Sequence, residues 1–358
     1  MGKIALFLLL LTASVSMAAE TLTVTDMLGR KVTVPAKAER VIPLGSSMSY
    51  VSFLKAQDTV IGIEKIDRMT FEKRPYVYAN REITAVLPVV AEGGAARRPN
   101  IELIVSLKPD VIFTITADAS EAELLQRKTR TPVIVLSYGY SGVNFDDIYK
   151  SLRIAGKILG RDKRAEELIT YMESLQEELS SPPAVKKCAY IGAVSYKGIQ
   201  GINSTEAHFL PFRLAGVENA ADKIGRKGHL FIDKEFAAMM KTDLIFVDSA
   251  GFAVTAQHAA KEPAYFSRMK PFTDGSAYMI LANTFYFINI DLMLANSFFI
   301  AKAAYPEKYA DLDPEKKADD IIEMFTGRRL FSVVREDSGG FKRITLSGKG
   351  FSVEEPGL

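Results

Sequence analysis

Cysteine is nearly absent from this 358-residue chain: Cys188 stands alone, so no intramolecular disulfide can form and no lipid-bearing cysteine follows the N-terminal segment. Tryptophan is missing altogether, which weakly disfavours a large flat ring as ligand. No excess of one charge exists either. Lys and Arg number 45 against 43 Asp and Glu, a formal net charge of +2, and nothing in that balance calls for nucleic acid or an acidic membrane. The apolar run at 4–11 is too short to span a bilayer by itself. The chain also lacks a Gly-x-Ser-x-Gly elbow, a His-Glu-x-x-His helix, a Walker phosphate loop and a dinucleotide glycine fingerprint, so the common hydrolytic, nucleotide and redox chemistries lack their parts.

With 48% apolar and 25% charged residues the composition is that of a folded protein, long enough for two cores of roughly 130 to 150 residues. Met1-Gly2-Lys3, the apolar run and then Ser16-Met17-Ala18 read as a secretory signal cut after Ala18 or Ala19. Removing residues 1–18 deletes Lys3 and no acid.

One phrase occurs twice. Glu102-Leu103-Ile104-Val105-Ser106-Leu107-Lys108-Pro109-Asp110-Val111-Ile112-Phe113 returns as Glu235-Phe236-Ala237-Ala238-Met239-Met240-Lys241-Thr242-Asp243-Leu244-Ile245-Phe246, with Glu, Lys, Asp, Ile and Phe at identical offsets. Each copy reads as a short amphipathic helix opened by an acid, then a turn, then a buried strand. The spacing predicts an α/β fold of two similar lobes, each presenting a carboxylate at the same place. Asp110 and Asp243 close the helix-to-strand turns and read as turn residues before catalytic acids.

The expected divisions are a signal at 1–18, an N-terminal α/β lobe at 19–143, linking helices at 144–182, a C-terminal α/β lobe at 183–310 and a helix with an extension at 311–358. In the first lobe, 22–35 predicts a hairpin about Leu28-Gly29-Arg30, followed by strands at 40–44, 58–63, in the repeated phrase and at 131–136. Apolar residues at Ala165, Leu168, Ile169, Met172, Leu175 and Leu179 predict a helix over 163–179, about 25 Å long at 1.5 Å per residue and sufficient to cross between lobes. A helix is expected over 314–325. The stretch 330–346 reads as a hairpin about Asp337-Ser338-Gly339-Gly340, with a mobile tail beyond Gly348. Cys188 sits in an expected strand and reads as a small core residue.

At this point the residues carry a family likeness. Asp26-Met27-Leu28-Gly29-Arg30-Lys31-Val32-Thr33-Val34-Pro35, Arg40-Val41-Ile42, Asn100-Ile101-Glu102 leading to Lys108-Pro109-Asp110-Val111-Ile112, Leu214-Ala215-Gly216-Val217-Glu218-Asn219 and Phe299-Ile300-Ala301-Lys302-Ala303-Ala304-Tyr305-Pro306-Glu307 resemble the periplasmic binding proteins of ABC importers for iron complexes, haem and cobalamin. The likeness covers roughly residues 21–310. It implies two Rossmann-like lobes joined by one long helix, a shallow cleft that closes only slightly on its ligand, no permanent cofactor and no enzymatic activity. It also implies that Glu102 and Glu235 meet arginines on the two subunits of an inner-membrane ABC permease, with the carrier a monomer. An acid at a helix N-terminus is favoured by about 0.3 to 1 kcal/mol and stays exposed; capping alone is the simpler use of one copy. A carrier with a signal but no lipid anchor points to a Gram-negative periplasm.

Ligands of open α/β sheets bind beyond the carboxyl ends of the strands. That rule selects Ser46, Ser47 and Tyr50, the turn at 92–98 with Arg97 and Arg98, Thr116, Tyr138 and Tyr140 from the first lobe. From the second it selects 195–197 with Tyr196, 203–208 with His208, Phe252, and 284–286 with Tyr286. Guanidinium groups suit an anionic metal chelate, and tyrosines can stack on or hydrogen-bond an aromatic one. The three histidines, His208, His229 and His258, contain no His-x-x-x-His pair, which disfavours a bare Zn or Mn carrier; His208 is the candidate to complete a chelate's coordination. The resulting expectation is a carrier of a metal chelate, of the ferric siderophore kind, with an exported chelatase or a bare-metal carrier as alternatives.

Overall fold

The computed structural model describes residues 20–69, 74–94, 98–116, 118–139, 142–181, 183 and 185–358. The signal expected at 1–18 therefore lies outside the described residues. Strands Thr21–Thr25 and Lys31–Pro35 form the expected hairpin in antiparallel register. Asp26 fastens its turn, accepting from the backbone of Leu28 and Arg30 and pairing with the Arg30 guanidinium at 2.6 Å.

The first lobe is a parallel sheet. Strands Val41–Pro43, Val111–Ile115 and Val133–Leu136 lie side by side, and the bridge Val41 to Val60 leads on to the parallel pair Ile63–Glu64 and Val89–Ala91. The expected strand at 58–63 is largely a 3-10 turn, Gln57–Thr59, with only its end in the sheet. In the second lobe Cys188–Gly192, Leu244–Asp248, Ala277–Ile280 and Glu218–Asn219 pair in parallel. In both lobes the strand of the repeated phrase lies against the lobe's first strand, and the sheet order reverses between those two. That reversal is where open α/β sheets leave a crevice.

The same reciprocal pair of hydrogen bonds stitches the repeat in both lobes. Asp110 N donates to Arg40 O at 2.8 Å and its carboxylate accepts from Arg40 N at 2.9 Å; Asp243 N donates to Cys188 O at 2.8 Å and its carboxylate accepts from Cys188 N at 2.8 Å. The acid thus closes the backbone where side-by-side strands begin. Cys188 is half-buried rather than core, and burial pushes its thiol up, away from nucleophilic use.

Between the lobes run helices Phe145–Leu159 and Asp162–Leu179, broken at Gly160 by a left-handed φ of 64° and tied by Arg153 to Glu166 at 2.7 Å. The apolar face of the second helix is buried, as its periodicity predicts. Helix Pro314–Thr326 then returns to the first lobe, where Phe325 meets Phe53 edge-on at 4.9 Å and Arg164 Nε donates to Phe53 O at 3.1 Å. Helix Ile290–Ala304 is buried along all 15 residues. One hydrophobic cluster runs through both lobes and these helices.

The C-terminal expectation is overturned. Residues Phe331–Ser338 form a helix, and Gly339, at φ 84°, ends it; Phe331, Val334 and Ser338 fall at helical spacing and bury one face. The hairpin lies later, Lys342–Ser347 against Gly350–Glu354, and adds two antiparallel strands to the second lobe's sheet. The segment beyond Gly348 is therefore an edge strand and not a mobile tail.

Candidate functional site: the cleft between the lobes

At the carboxyl ends of both sheets lies a cavity of about 690 Å³, within the usual range of small-molecule sites. Ile115, Thr116, Ser137, Tyr138 and Val143 face it from the first lobe, and Val194, Ser195, Tyr196, Glu206, His229 and Phe287 from the second. Gly45 enables the close packing beneath it: its φ is 61°, and a Cβ there would meet Ile115 O at 2.9 Å. Ser46, Tyr286 and Phe287 also hold left-handed φ values of 69°, 51° and 70°. Non-glycine residues reach that region at a cost of order 1–3 kcal/mol, and such strain gathers at functional sites.

The polar groups come mainly from the antiparallel strand pair Ser204–Ala207 and Gly228–Phe231. Its register sets His229 opposite Glu206, which places both side chains on one face of the ladder. Ser204 Oγ donates to Val194 O at 2.5 Å, which commits its only proton. The 2.7 Å contact from His229 Nε2 to the same oxygen must then carry the imidazole's proton. Burial lowers the His229 pKa and keeps the ring neutral. Its Nδ1 lone pair has no hydrogen-bond partner among the described residues. Tyr196 stacks on the imidazole at 4.0 Å and Phe231 closes its edge at 4.7 Å, so the ring is fixed. Burial, and then Asp248, push the Glu206 carboxyl up to about 7. Ser195 Oγ, in the cavity wall, is buried without a partner among the described residues.

A second polar group bridges the lobes beside the cavity. Tyr286 Oη donates to Glu64 Oε2 at 2.6 Å, and the buried Arg74 guanidinium lies 5.8 Å from the Tyr286 ring. Arg74 also meets Asp67 at 3.2 Å and Tyr76 Oη at 2.8 Å. Burial, and then Asp67, push Glu64 up to about 7.

The candidates from sequence fare unequally. Tyr138 and Tyr196 line the cavity. Tyr196 is 41% exposed, whereas the Tyr138 hydroxyl is turned into the first lobe, shared with Ser49 Oγ at 2.7 Å. Tyr50 is fully buried, donating to Ser137 O at 2.8 Å and stacked behind Tyr138 at 5.0 Å, so it is core. Tyr286 is committed to Glu64. Phe252 packs against Phe351 in the second lobe's own apolar cluster and does not line the cavity. His208 leaves the cleft because the strand stops at Ala207 and His208 turns with φ 57°; its backbone and Nδ1 meet Asp222 at 2.6 and 3.5 Å. Arg98 is exposed and does not line the cavity, while Arg97 and Tyr140 lie outside the described residues. Glu206 falls inside the selected 203–208 stretch, but His229 was passed over. The signal that finds it is the strand alternation around 229, which opposes Glu206.

Both repeated acids are exposed. Glu102 sits in the first turn of helix Ile101–Leu107, whose Asn100 cap accepts from Leu103 N. Glu235 sits in the first turn of helix Lys234–Met239, capped by Asp233. Each helix leads into a strand of its parallel sheet and so runs against it, which sets its N-terminus at the level of the cleft.

A sequence profile of the periplasmic binding protein family matches residues 54–265, more than half of the chain, and the chain belongs to that family. Its members carry transported ligands and are not enzymes. An uncharacterised ABC transporter substrate-binding lipoprotein of Bacillus subtilis, YvrC, is 25% identical over 154 residues, 42% of this chain and 44% of that protein; the match therefore spans less than half of the relative's length. The fold is shared with the Haemophilus influenzae molybdate-binding protein MolA at TM-score 0.69 and 18% identity, covering 86% of this chain and 98% of that one. It is shared too with Helicobacter pylori CeuE bearing Ni(II), at 0.66 and 18% over 86% and 96%. The Bacillus subtilis petrobactin-binding protein YclQ matches at 0.61 and 16% over 80% and 99%.

Proposed function

We propose that this chain is the substrate-binding component of an ABC importer, exported to the periplasm by a cleaved signal, and that it captures a metal chelate of the ferric siderophore class. The observation that carries this reading is His229: a neutral, clamped imidazole in the cavity wall whose Nδ1 lone pair is uncommitted. One imidazole and one carboxylate cannot enclose a bare ion, and among the described residues no three His, Cys, Asp or Glu side chains gather at one point. They suit a metal already held by an organic chelator that leaves a site open. Aromatic Tyr196 and Phe287 and the Ser195 hydroxyl then face the chelator. Micromolar capture needs about −8 kcal/mol, which one metal bond and a few stacked rings can supply. Glu102 and Glu235 dock the loaded carrier on its permease.

A thermal-shift panel of ferric siderophores, haem, cobalamin, nickel chelates, molybdate and free zinc tests the ligand. A ferric siderophore at about 100 times its Kd should add roughly 2.7 kcal/mol. A response confined to molybdate, a tetrapyrrole or the free ion would overturn the assignment.

A further inference from the structure

The two exposed acids differ in what holds them. Glu102 makes no ion pair among the described residues, whereas Glu235 Oε2 is met by Arg268 Nη1 at 2.7 Å. The pair is open to solvent, with side-chain exposures of 65% for Glu235 and 45% for Arg268. Lys234, the other base beside Glu235, is already paired with Glu262. Apolar surface flanks each acid one turn on: Val105 is 45% exposed beyond Glu102, and Met239 is 71% exposed beyond Glu235. The surface thus presents the same element twice, an acid beside an apolar side chain, with a guanidinium seated on one copy only.

We propose that Arg268 occupies the place of the permease's arginine on the second lobe, so that docking there is an exchange of one guanidinium for another while docking at Glu102 is a simple addition. This rests on the reading of Glu102 and Glu235 as docking acids. The partner it fits is a two-fold membrane protein offering an arginine beside an apolar segment to each lobe. Because the intramolecular pair is exposed, its hold is modest, and removing it strengthens docking by about two- to fivefold. The exchange also makes the second lobe the weaker half of the docking surface.

The test uses ligand-free carrier and proteoliposomes holding the cognate permease and ATPase. The readout is the carrier concentration that gives half-maximal stimulation of ATP hydrolysis. Arg268→Ala should lower that concentration about two- to fivefold, Glu235→Ala should raise it, and adding Arg268→Ala to Glu235→Ala should change nothing further. If Glu235→Ala raises it but Arg268→Ala leaves it unchanged or raises it too, Arg268 is no competitor and the proposal fails alone. If neither Glu102→Ala nor Glu235→Ala has an effect, the docking reading fails and takes this one with it.

Discussion

The two lobes share a scaffold and divide the chemistry. Each carries the acid-headed helix, the turn and the strand, and in each an aspartate makes the same reciprocal pair of hydrogen bonds to the first strand. Beyond that the likeness stops. The first lobe gives the cleft a wall backed by buried tyrosines, Tyr50 behind Tyr138. The second gives it an antiparallel strand pair with an imidazole and a carboxylate on one face, and its exposed repeated acid, Glu235, is already engaged by Arg268. What the internal repeat preserves is the backbone that sets one exposed acid in the first turn of a helix in each lobe. What it leaves free to diverge is the set of loops and strands that line the cavity above the two sheets.

The comparison is broken most severely by removing both acids. Glu102→Ala with Glu235→Ala should cut uptake at least about tenfold, some 1.4 kcal/mol of docking, with chelate affinity unchanged in calorimetry; normal uptake would end the docking reading. A smaller effect sharpens the structural half of the likeness. Asp110 accepts from two backbone N–H groups and Asp243 from one, and each such bond is worth about 0.5 to 1.5 kcal/mol. Urea unfolding should therefore show Asp110→Ala losing about 1 to 3 kcal/mol and Asp243→Ala about half that. Equal losses would say that the stitch is one bond in both lobes.

The smallest effect is in the dependence on pH. Glu64, Glu206 and Asp291 are all pushed up to about 7, chiefly by burial. A carboxyl raised in the folded state holds a proton that the unfolded chain releases above about pH 4. Its favourable contribution is thus complete at low pH and is lost as pH rises through about 7. The melting temperature should fall between about pH 5 and pH 8, and Glu206→Gln should flatten that fall; an unchanged slope would place Glu206 in a well-solvated site.

Much of this organisation is legible in the sequence, for reasons that name its limits. The repeated phrase is local, so its helix, turn and strand follow from period and capping. The helix Asp162–Leu179 follows from its apolar stripe for the same reason. The C-terminal segment misleads because Phe331, Val333 and Ile344 satisfy alternation as readily as helical spacing, and only the Gly339 cap decides. Tyrosines mislead more. Nothing local tells Tyr50, sealed in the core, from Tyr196, open on the cleft; that is settled by neighbours far away in the chain. His208 and His229 are separated by a single backbone event, the left-handed turn after Ala207, which sends one out of the cleft and leaves the other opposite Glu206.

If His229, on the antiparallel strand pair of the second lobe, meets the ligand's metal, then removing its imidazole must weaken chelate binding. Calorimetric titration of a tetradentate ferric chelate, which leaves two iron sites open, into the native protein and into His229→Ala measures it directly. At least a tenfold loss of affinity in the variant, with a shifted visible charge-transfer band, is the expected result. Equal affinity and an unchanged spectrum would contradict it.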